Sequence, residues 1–81
     1  MAIVLSAHAR LVTGERGIPR DWIEATILSP GWREPDPMDP ALTRSFRHLI
    51  EAGGRVLRVV HRPAGPDILV ITAFLDRGAT P

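Results

Sequence analysis

The fold of this chain follows from residues 45–75, which read SFRHLIEAGGRVLRVVHRPAGPDILVITAFL. Three segments of strand-like composition are separated here by an Ala-Gly-Gly turn at 52–54 and a Pro-Ala-Gly-Pro turn at 63–66. The last segment, 68–75, is apolar at nearly every position, which is typical of a strand that is covered on both faces. Because a tight turn joins only antiparallel neighbours, the sequence predicts a β-meander.

Two short helices are predicted ahead of the meander. Ser6 is a good N-cap and Gly17 a good C-terminal stop, so the first helix is expected over 7–16. Pro19 suits the first turn of a second helix over 20–28, which a serine-proline pair ends. One face of the first helix carries, at helical spacing, His8, Leu11, Val12 and Glu15.

The remaining segments are less regular. Residues 3–5 are apolar and fit either a short strand or the entry to the first helix. Residues 30–43 hold four of the eight prolines and are expected to form an irregular, mobile loop that Trp32 could pin to the domain. The sequence therefore predicts one α+β domain over 1–81, in which two short N-terminal helices pack on a three- to four-stranded antiparallel β-meander.

Composition restricts the setting in which the chain works. Cysteine is absent, so disulfides and thiolate metal sites are excluded. The longest apolar segment is far too short to cross a bilayer, and the N-terminus has no signal-peptide pattern, so we expect a cytoplasmic protein that does not enter a membrane. Because so short a chain builds only a thin core, we also expect a homodimer.

Charge is divided unevenly along the chain. Residues 21–43 carry five carboxylates against one arginine, a local net charge of −4, whereas residues 44–62 carry five arginines against one glutamate, a net of +4. All ten basic residues are arginine, whose planar guanidinium suits phosphate and carboxylate partners. We call residues 44–62 the basic segment, and it is the clearest functional signal in the sequence.

The basic segment supplies the candidate anion-binding residues. On the predicted hairpin these are Arg47, Arg55, Arg58, His61 and Arg62. If they cluster on the sheet, they form a positive field that attracts a phosphate backbone. The alternative is that they are ordinary exposed arginines that discourage strand edges from pairing, with Glu51 and Arg55 as a routine cross-strand pair. The turn decides the register, since a three-residue turn places Arg58 opposite His48.

The histidines are candidates for proton transfer. His8 lies in the first turn, just after the N-cap Ser6, where an imidazole could act as a general base near pH 7; the alternative is that it packs between helix and sheet. Together, His8, His48 and His61 are too dispersed to form a metal-ligand pattern, so no metal is expected. A phosphate-binding loop and a nucleophile elbow are also missing from the sequence, and no cofactor is expected.

Several motifs together resemble a known family. They are LSAHA at 5–9, ERGIP at 15–19, WI at 22–23, Pro30, GRVLRVV at 54–60 and VITAF at 70–74. In this order and spacing they resemble the small bacterial and archaeal family classed as domain of unknown function 4258. The likeness covers nearly the whole chain.

The resemblance carries expectations about activity. The family looks like a distant relative of the BrnT and RelE-type toxins, small endoribonucleases paired with antitoxins, which implies a helix pair on an antiparallel sheet. The residues that fit the family pattern are Arg16, Arg47, Arg58 and Thr72. Two positions depart from it: Val12 stands where members commonly carry arginine, and Phe46 replaces a tyrosine whose hydroxyl could donate a proton.

Two functions are therefore in competition. The departures favour a basic-surface interaction module without catalysis, binding RNA or an acidic antitoxin-like protein in a manner that weakens steeply with salt. The alternative is a metal-independent endoribonuclease toxin, with His8 or His61 as base or acid and Arg47 and Arg58 as phosphate clamps, Arg58 being counted with the histidines as catalytic. In a third reading, the chain keeps a toxin-like fold without either role. In the first two readings, Arg16, Arg55 and Arg62 add anion-binding charge.

Overall fold

The computed structural model describes all 81 residues, as five strands, two α-helices and one turn of 3-10 helix. In chain order these are β1 (Ile3–Leu5), α1 (Ala7–Glu15), α2 (Arg20–Leu28), β2 (Trp32–Pro35), β3 (Thr43–Leu49), the 3-10 turn (Ile50–Ala52), β4 (Arg55–Ala64) and β5 (Asp67–Asp76). The α+β class and both helices are confirmed, each helix to within a residue of its expected bounds. Neither helix has the length and apolarity needed to span a membrane.

The sheet has five strands in the order β1-β5-β4-β3-β2. Strands β3, β4 and β5 form the predicted antiparallel meander. The expected number of three to four strands is too low, because each end of the meander gains a strand. At one end β1 pairs in parallel with β5, which makes the sheet mixed. At the other end β2 pairs antiparallel with β3.

Strand β2 forms inside the segment that was expected to be an irregular loop. Trp32 lies opposite Phe46, and the Gly31 N–H donates to the Phe46 carbonyl over 2.7 Å. Pro35 is the last residue of this edge strand, a position where a missing N–H costs no ladder hydrogen bond. The proline content therefore limits the strand to four residues without preventing it.

Both helices cover the same side of the sheet. The core between them and the sheet consists of Ile3, Leu5, Ala9, Ile18, Ile23, Ile27, Leu49, Ala52, Leu57, Val59, Val70 and Ala73. Strand residues alternate between the two sides, so the opposite side carries Phe46, Arg58 and Phe74. No helix lies over that second side, and we call it the open face.

The first helix buries a different face from the one its spacing predicted. Ala9 and Thr13 are buried, whereas Leu11 is 62% exposed. The small Ala9 side chain lets the helix approach the sheet closely, and the Thr13 hydroxyl is satisfied by the Ala9 carbonyl at 2.7 Å. His8 is exposed, so the alternative that it packs between helix and sheet is wrong.

Two substitutions test this orientation of α1. Ala9→Leu is expected to lower the free energy of unfolding by about 1–3 kcal/mol, because the site against the sheet is already filled. Leu11→Ser is expected to change it by less than about 0.5 kcal/mol, because that side chain is exposed. Urea denaturation followed by circular dichroism measures both. A larger cost for Leu11→Ser than for Ala9→Leu would mean that the helix is rotated about its axis.

The turn between β3 and β4 sets the register of the basic segment. The 3-10 turn is followed by Gly53 and Gly54, with φ of 71° and 79°, a left-handed conformation that glycine adopts without strain. This longer connection places Arg58 opposite Phe46, not opposite His48 as a three-residue turn would. The cross-strand partner of Arg55 is Leu49, so the expected pair with Glu51 does not form.

Candidate binding surface on the open face

A row of aromatic and arginine side chains crosses the open face at right angles to the strands. Its members on β2, β3, β4 and β5 are direct cross-strand partners, namely Trp32, Phe46, Arg58 and Phe74. Arg16, just beyond α1, extends the row past β5. We call these five residues the aromatic–arginine row.

The members of the row contact one another through their ring faces. The rings of Trp32 and Phe46 are stacked, with centroids 4.9 Å apart and planes 5° from parallel. The guanidinium carbon of Arg58 lies 5.5 Å from the Phe46 centroid and 4.7 Å from that of Phe74. Both distances are within the range in which a cation is attracted to an aromatic face, by roughly 0.5–1 kcal/mol at exposed sites. The row is therefore organised before any ligand arrives.

Arg16 is held against the free edge of β5. Its Nη1 donates to the Ala73 carbonyl over 2.9 Å, and its guanidinium carbon lies 5.9 Å from the Phe74 centroid. Arg16 and Arg58 thus share one aromatic neighbour. Arg16 forms no ion pair with a carboxylate, so its charge remains available.

Arg58 is the central residue of the row and is largely enclosed. Its side chain is 22% exposed, and its Nη2 donates to the carboxylate of Asp76, which is 13% exposed. The Arg58 Nε–H is buried without a hydrogen-bond acceptor. Burying a donor without a partner is costly, whereas the contacts of the guanidinium carbon with the Phe46 and Phe74 rings are favourable.

A cleft of ≈ 280 Å³ opens beside Arg58. Glu34, Phe46, Arg58 and Asp76 line it, together with residues 78–80 of the C-terminal segment. The Asp76 carboxylate also accepts from the Gly78 N–H over 3.0 Å, which fixes the start of that segment. The cleft thus combines one guanidinium with two carboxylates.

A second ion-pair group lies at the β2 edge of the open face. Arg44 contacts Asp36 at 3.2 Å and Glu34 at 3.9 Å. Hydrogen bonds from the Met38 N–H and then the Asp39 N–H, together with Arg44, lower the pKa of Asp36 against the opposing effect of burial. The charge of Arg44 is therefore offset within the domain.

The structure brings together only some of the predicted site residues. Arg16 and Arg58 both contact Phe74, whereas Arg47 lies opposite Leu57 and so points to the helical side, where it donates to the Ser29 carbonyl. Arg47 and Arg58, expected together as phosphate clamps, therefore lie on opposite sides of the sheet. Arg58 pairs with Phe46, the residue before Arg47, and successive residues of a strand point to opposite sides of the sheet.

The other predicted residues are dispersed. His61 is buried on the helical side, 2.7 Å from the Ser45 hydroxyl. Arg55 donates to the Ala52 carbonyl over 2.8 Å at the turn, and Arg62 is exposed near the far end of β4. His8 is exposed on α1 and makes no side-chain hydrogen bond. No set of three histidine, aspartate or glutamate side chains is placed to hold a metal ion.

Four residues of the site were not predicted from the sequence. Trp32 was expected only to pin a loop, Phe46 was noted only as a departure from the family pattern, and neither Phe74 nor Asp76 was a candidate. The position of Trp32 depends on the register of β2 against β3, which its proline-rich segment does not reveal. The role of Asp76 depends on the pairing of β4 with β5, which brings it next to Arg58 across 18 residues of sequence.

The fold and this surface define a class of protein: a two-layer α+β domain whose sheet has one helix-covered side and one open side with a preformed aromatic–arginine row. The chain belongs to the family described as Domain of unknown function (DUF4258), whose model matches residues 5–75. No curated protein and no solved structure matches it. The family expectation is thus confirmed, and the relation to BrnT and RelE-type toxins stays a prediction.

Proposed function

We propose that this domain is an interaction module that binds single-stranded RNA on the open face of its sheet. The observation that carries the proposal is the aromatic–arginine row, which joins four strands and Arg16 in one continuous line of ring faces and guanidinium groups. Proteins that bind single strands stack successive bases on such side chains, at about 1–3 kcal/mol for each base.

The exposure of the row fits base stacking at its two ends. Phe46 is only 2% exposed and serves as the support in the centre, whereas Trp32 and Phe74 are half-buried and keep part of their surface accessible. Adjacent strands lie about 4.8 Å apart, so the two outer rings are separated by three strand spacings. An unpaired strand lying across the sheet can therefore contact both rings, whereas the paired bases of a duplex cannot reach them.

Charge makes a smaller contribution than the basic segment predicted. Arg44 and Arg58 are already paired with carboxylates. The open face retains Arg16, Arg62 and Arg77 without an ion pair, Arg77 lying in a pocket with His48 and Val56. We therefore propose that stacking supplies most of the affinity and that phosphate contacts are few.

The salt dependence of binding tests this balance. With about three phosphates neutralised by Arg16, Arg62 and Arg77, the logarithm of the binding constant for a single-stranded RNA is expected to fall with a slope of about −2.1 against the logarithm of salt concentration. Fluorescence anisotropy of a labelled oligonucleotide measures the slope. A slope of about −3.5, as for five arginines of the basic segment, would contradict the stacking proposal in favour of phosphate binding.

The binding surface itself is tested with a tryptophan reporter. In Trp22→Phe, Trp32 is the sole tryptophan, and RNA is expected to quench its fluorescence as a base stacks on the ring. Phe74→Ala should weaken RNA binding about tenfold, the equivalent of one lost stacking contact. Arg10→Gln, an exposed charge change on α1, is the control and should bind normally. Absence of binding, or binding only to an acidic protein, would refute the RNA proposal.

An endoribonuclease remains the second candidate, because Arg58 lies in a cleft beside two carboxylates. In this reading Arg58 holds the scissile phosphate, and the base would be Glu34 or Asp76, because His8 does not line the cleft. RNA incubated with the protein should then yield products, and Arg58→Ala should abolish them. Intact RNA at high protein concentration, together with normal binding, supports the module and not the enzyme.

A further inference from the structure

A second cavity, of ≈ 320 Å³, lies on the helical side of the sheet. It opens where the C-terminal end of α2 approaches the adjoining ends of β3, β4 and β5. Its apolar lining residues are Met1, Ile27, Leu28, Pro63 and Ile68, of which Leu28 is 61% exposed. The volume is at the lower end of the range found for small-molecule sites.

His61 lies in the wall of this cavity with one ring nitrogen free. Its Nε2 is 2.7 Å from the hydroxyl of the fully buried Ser45, whereas its Nδ1 has no protein partner and is not sealed from solvent. Burial lowers the pKa of His61, and the nearby guanidinium of Arg33 lowers it further. The ring is therefore neutral at pH 7 and offers Nδ1 to a molecule in the cavity.

Arg33 supplies an unpaired positive charge at the same cavity. Its Nη2 donates to the Ile27 carbonyl over 3.2 Å, and it forms no ion pair with a carboxylate. Apart from Arg33 and His61, no lining side chain is ionisable, and none is acidic. A cation without a carboxylate partner, beside aliphatic side chains, is complementary to a molecule with an anionic head and an apolar body.

We propose that this cavity binds a small aliphatic carboxylate, with its head group between Arg33 and His61 and its alkyl chain against Ile27, Leu28 and Ile68. Guanidinium and carboxylate groups form strong charge-assisted hydrogen bonds, and Nδ1–H of a neutral His61 can donate a further one. Burial of the alkyl chain supplies the remaining affinity. The site is on the opposite side of the sheet from the aromatic–arginine row, so it is independent of RNA binding.

Hexanoate is the probe for the test. Added to ¹⁵N-labelled protein at pH 7, it should cause saturable amide shifts around Ile27, Thr43 and Ile68. Hexanol has the same chain without the charge and should bind at least tenfold more weakly. Arg33→Gln should lower hexanoate affinity about tenfold, and Arg10→Gln, which removes a charge elsewhere, should leave it unchanged.

The titration of His61 gives a signature that a structural role for Arg33 would not produce. A bound carboxylate favours the protonated imidazole, so saturating hexanoate should raise the pKa of His61, as followed by its Hε1 proton resonance. Hexanol should leave it unmoved. The proposal is overturned if hexanoate shifts do not saturate, if Arg33→Gln binds hexanoate normally, or if the His61 titration is unaffected. RNA should leave these resonances unshifted, so the absence of RNA binding and the absence of hexanoate binding are observed independently of each other.

Discussion

Phe46→Ala is expected to lower the free energy of unfolding by about 3–5 kcal/mol, because it removes a buried ring against which Trp32 and Arg58 pack. Phe46 is 2% exposed although no helix covers it, since Trp32 stacks on it and Arg58 lies against its face. For a domain of this length the total stability is roughly 4–12 kcal/mol. The substitution is thus expected to remove a large part of the total free energy of unfolding.

Urea denaturation of Phe46→Ala and Phe46→Leu separates shape from stacking. Leucine refills part of the volume and should recover about half of the loss, whereas only an aromatic residue restores the stack with Trp32. Phe46→Tyr should retain stability. A cost below about 1 kcal/mol for Phe46→Ala would show that the open face is not a packed surface and would remove the support for the aromatic–arginine row.

The second large effect is expected at the ion pair of Arg58 and Asp76. Arg58→Ala leaves the Asp76 carboxylate enclosed without its partner and takes the cation from between two phenylalanines, so we expect a loss of about 2–4 kcal/mol. Arg58→Met keeps the chain volume and should lose less. Single-stranded RNA binding should fall with both variants, because the row is interrupted at its centre.

A double-mutant cycle isolates the pair itself. Asp76→Asn alone removes the acceptor charge and should cost about 1–2 kcal/mol, since the pair is only partly exposed. The combination of Arg58→Met with Asp76→Asn should cost less than the sum of the two single changes, because neither then leaves an uncompensated charge. Strict additivity of the two changes would mean that the pair contributes nothing to the fold.

How far the sequence predicts the site depends on the residue. The sequence shows the arginines of the basic segment as a charge cluster, but it does not show on which side of the sheet each of them lies. Arg47 and Arg58 are both on neighbouring strands, yet a register set by the 3-10 turn directs them to opposite sides. A shift of one residue would have exchanged every side chain between the two faces, and no periodicity in the sequence fixes that shift.

Helix α1 shows the same limit. The apolar spacing of Leu11 and Val12 pointed to one face, whereas the buried positions are Ala9 and Thr13. Thr13 has a polar side chain, and its hydroxyl can be buried at little cost because it donates to the Ala9 carbonyl. A hydrophobic pattern assigns polar residues to the surface, so it does not predict the burial of a polar residue whose hydrogen bonds are satisfied.

The sequence by itself determined the α+β class, the two helices with their ends, the antiparallel meander and the membership of the family, because caps, turn glycines and apolar runs act through neighbouring residues. Only the tertiary structure decided the parallel pairing of β1, the edge strand β2, the aromatic–arginine row and the separation of His61 from Arg58. These features join residues that are distant in sequence, and their geometry depends on strand register and packing, which no local pattern encodes.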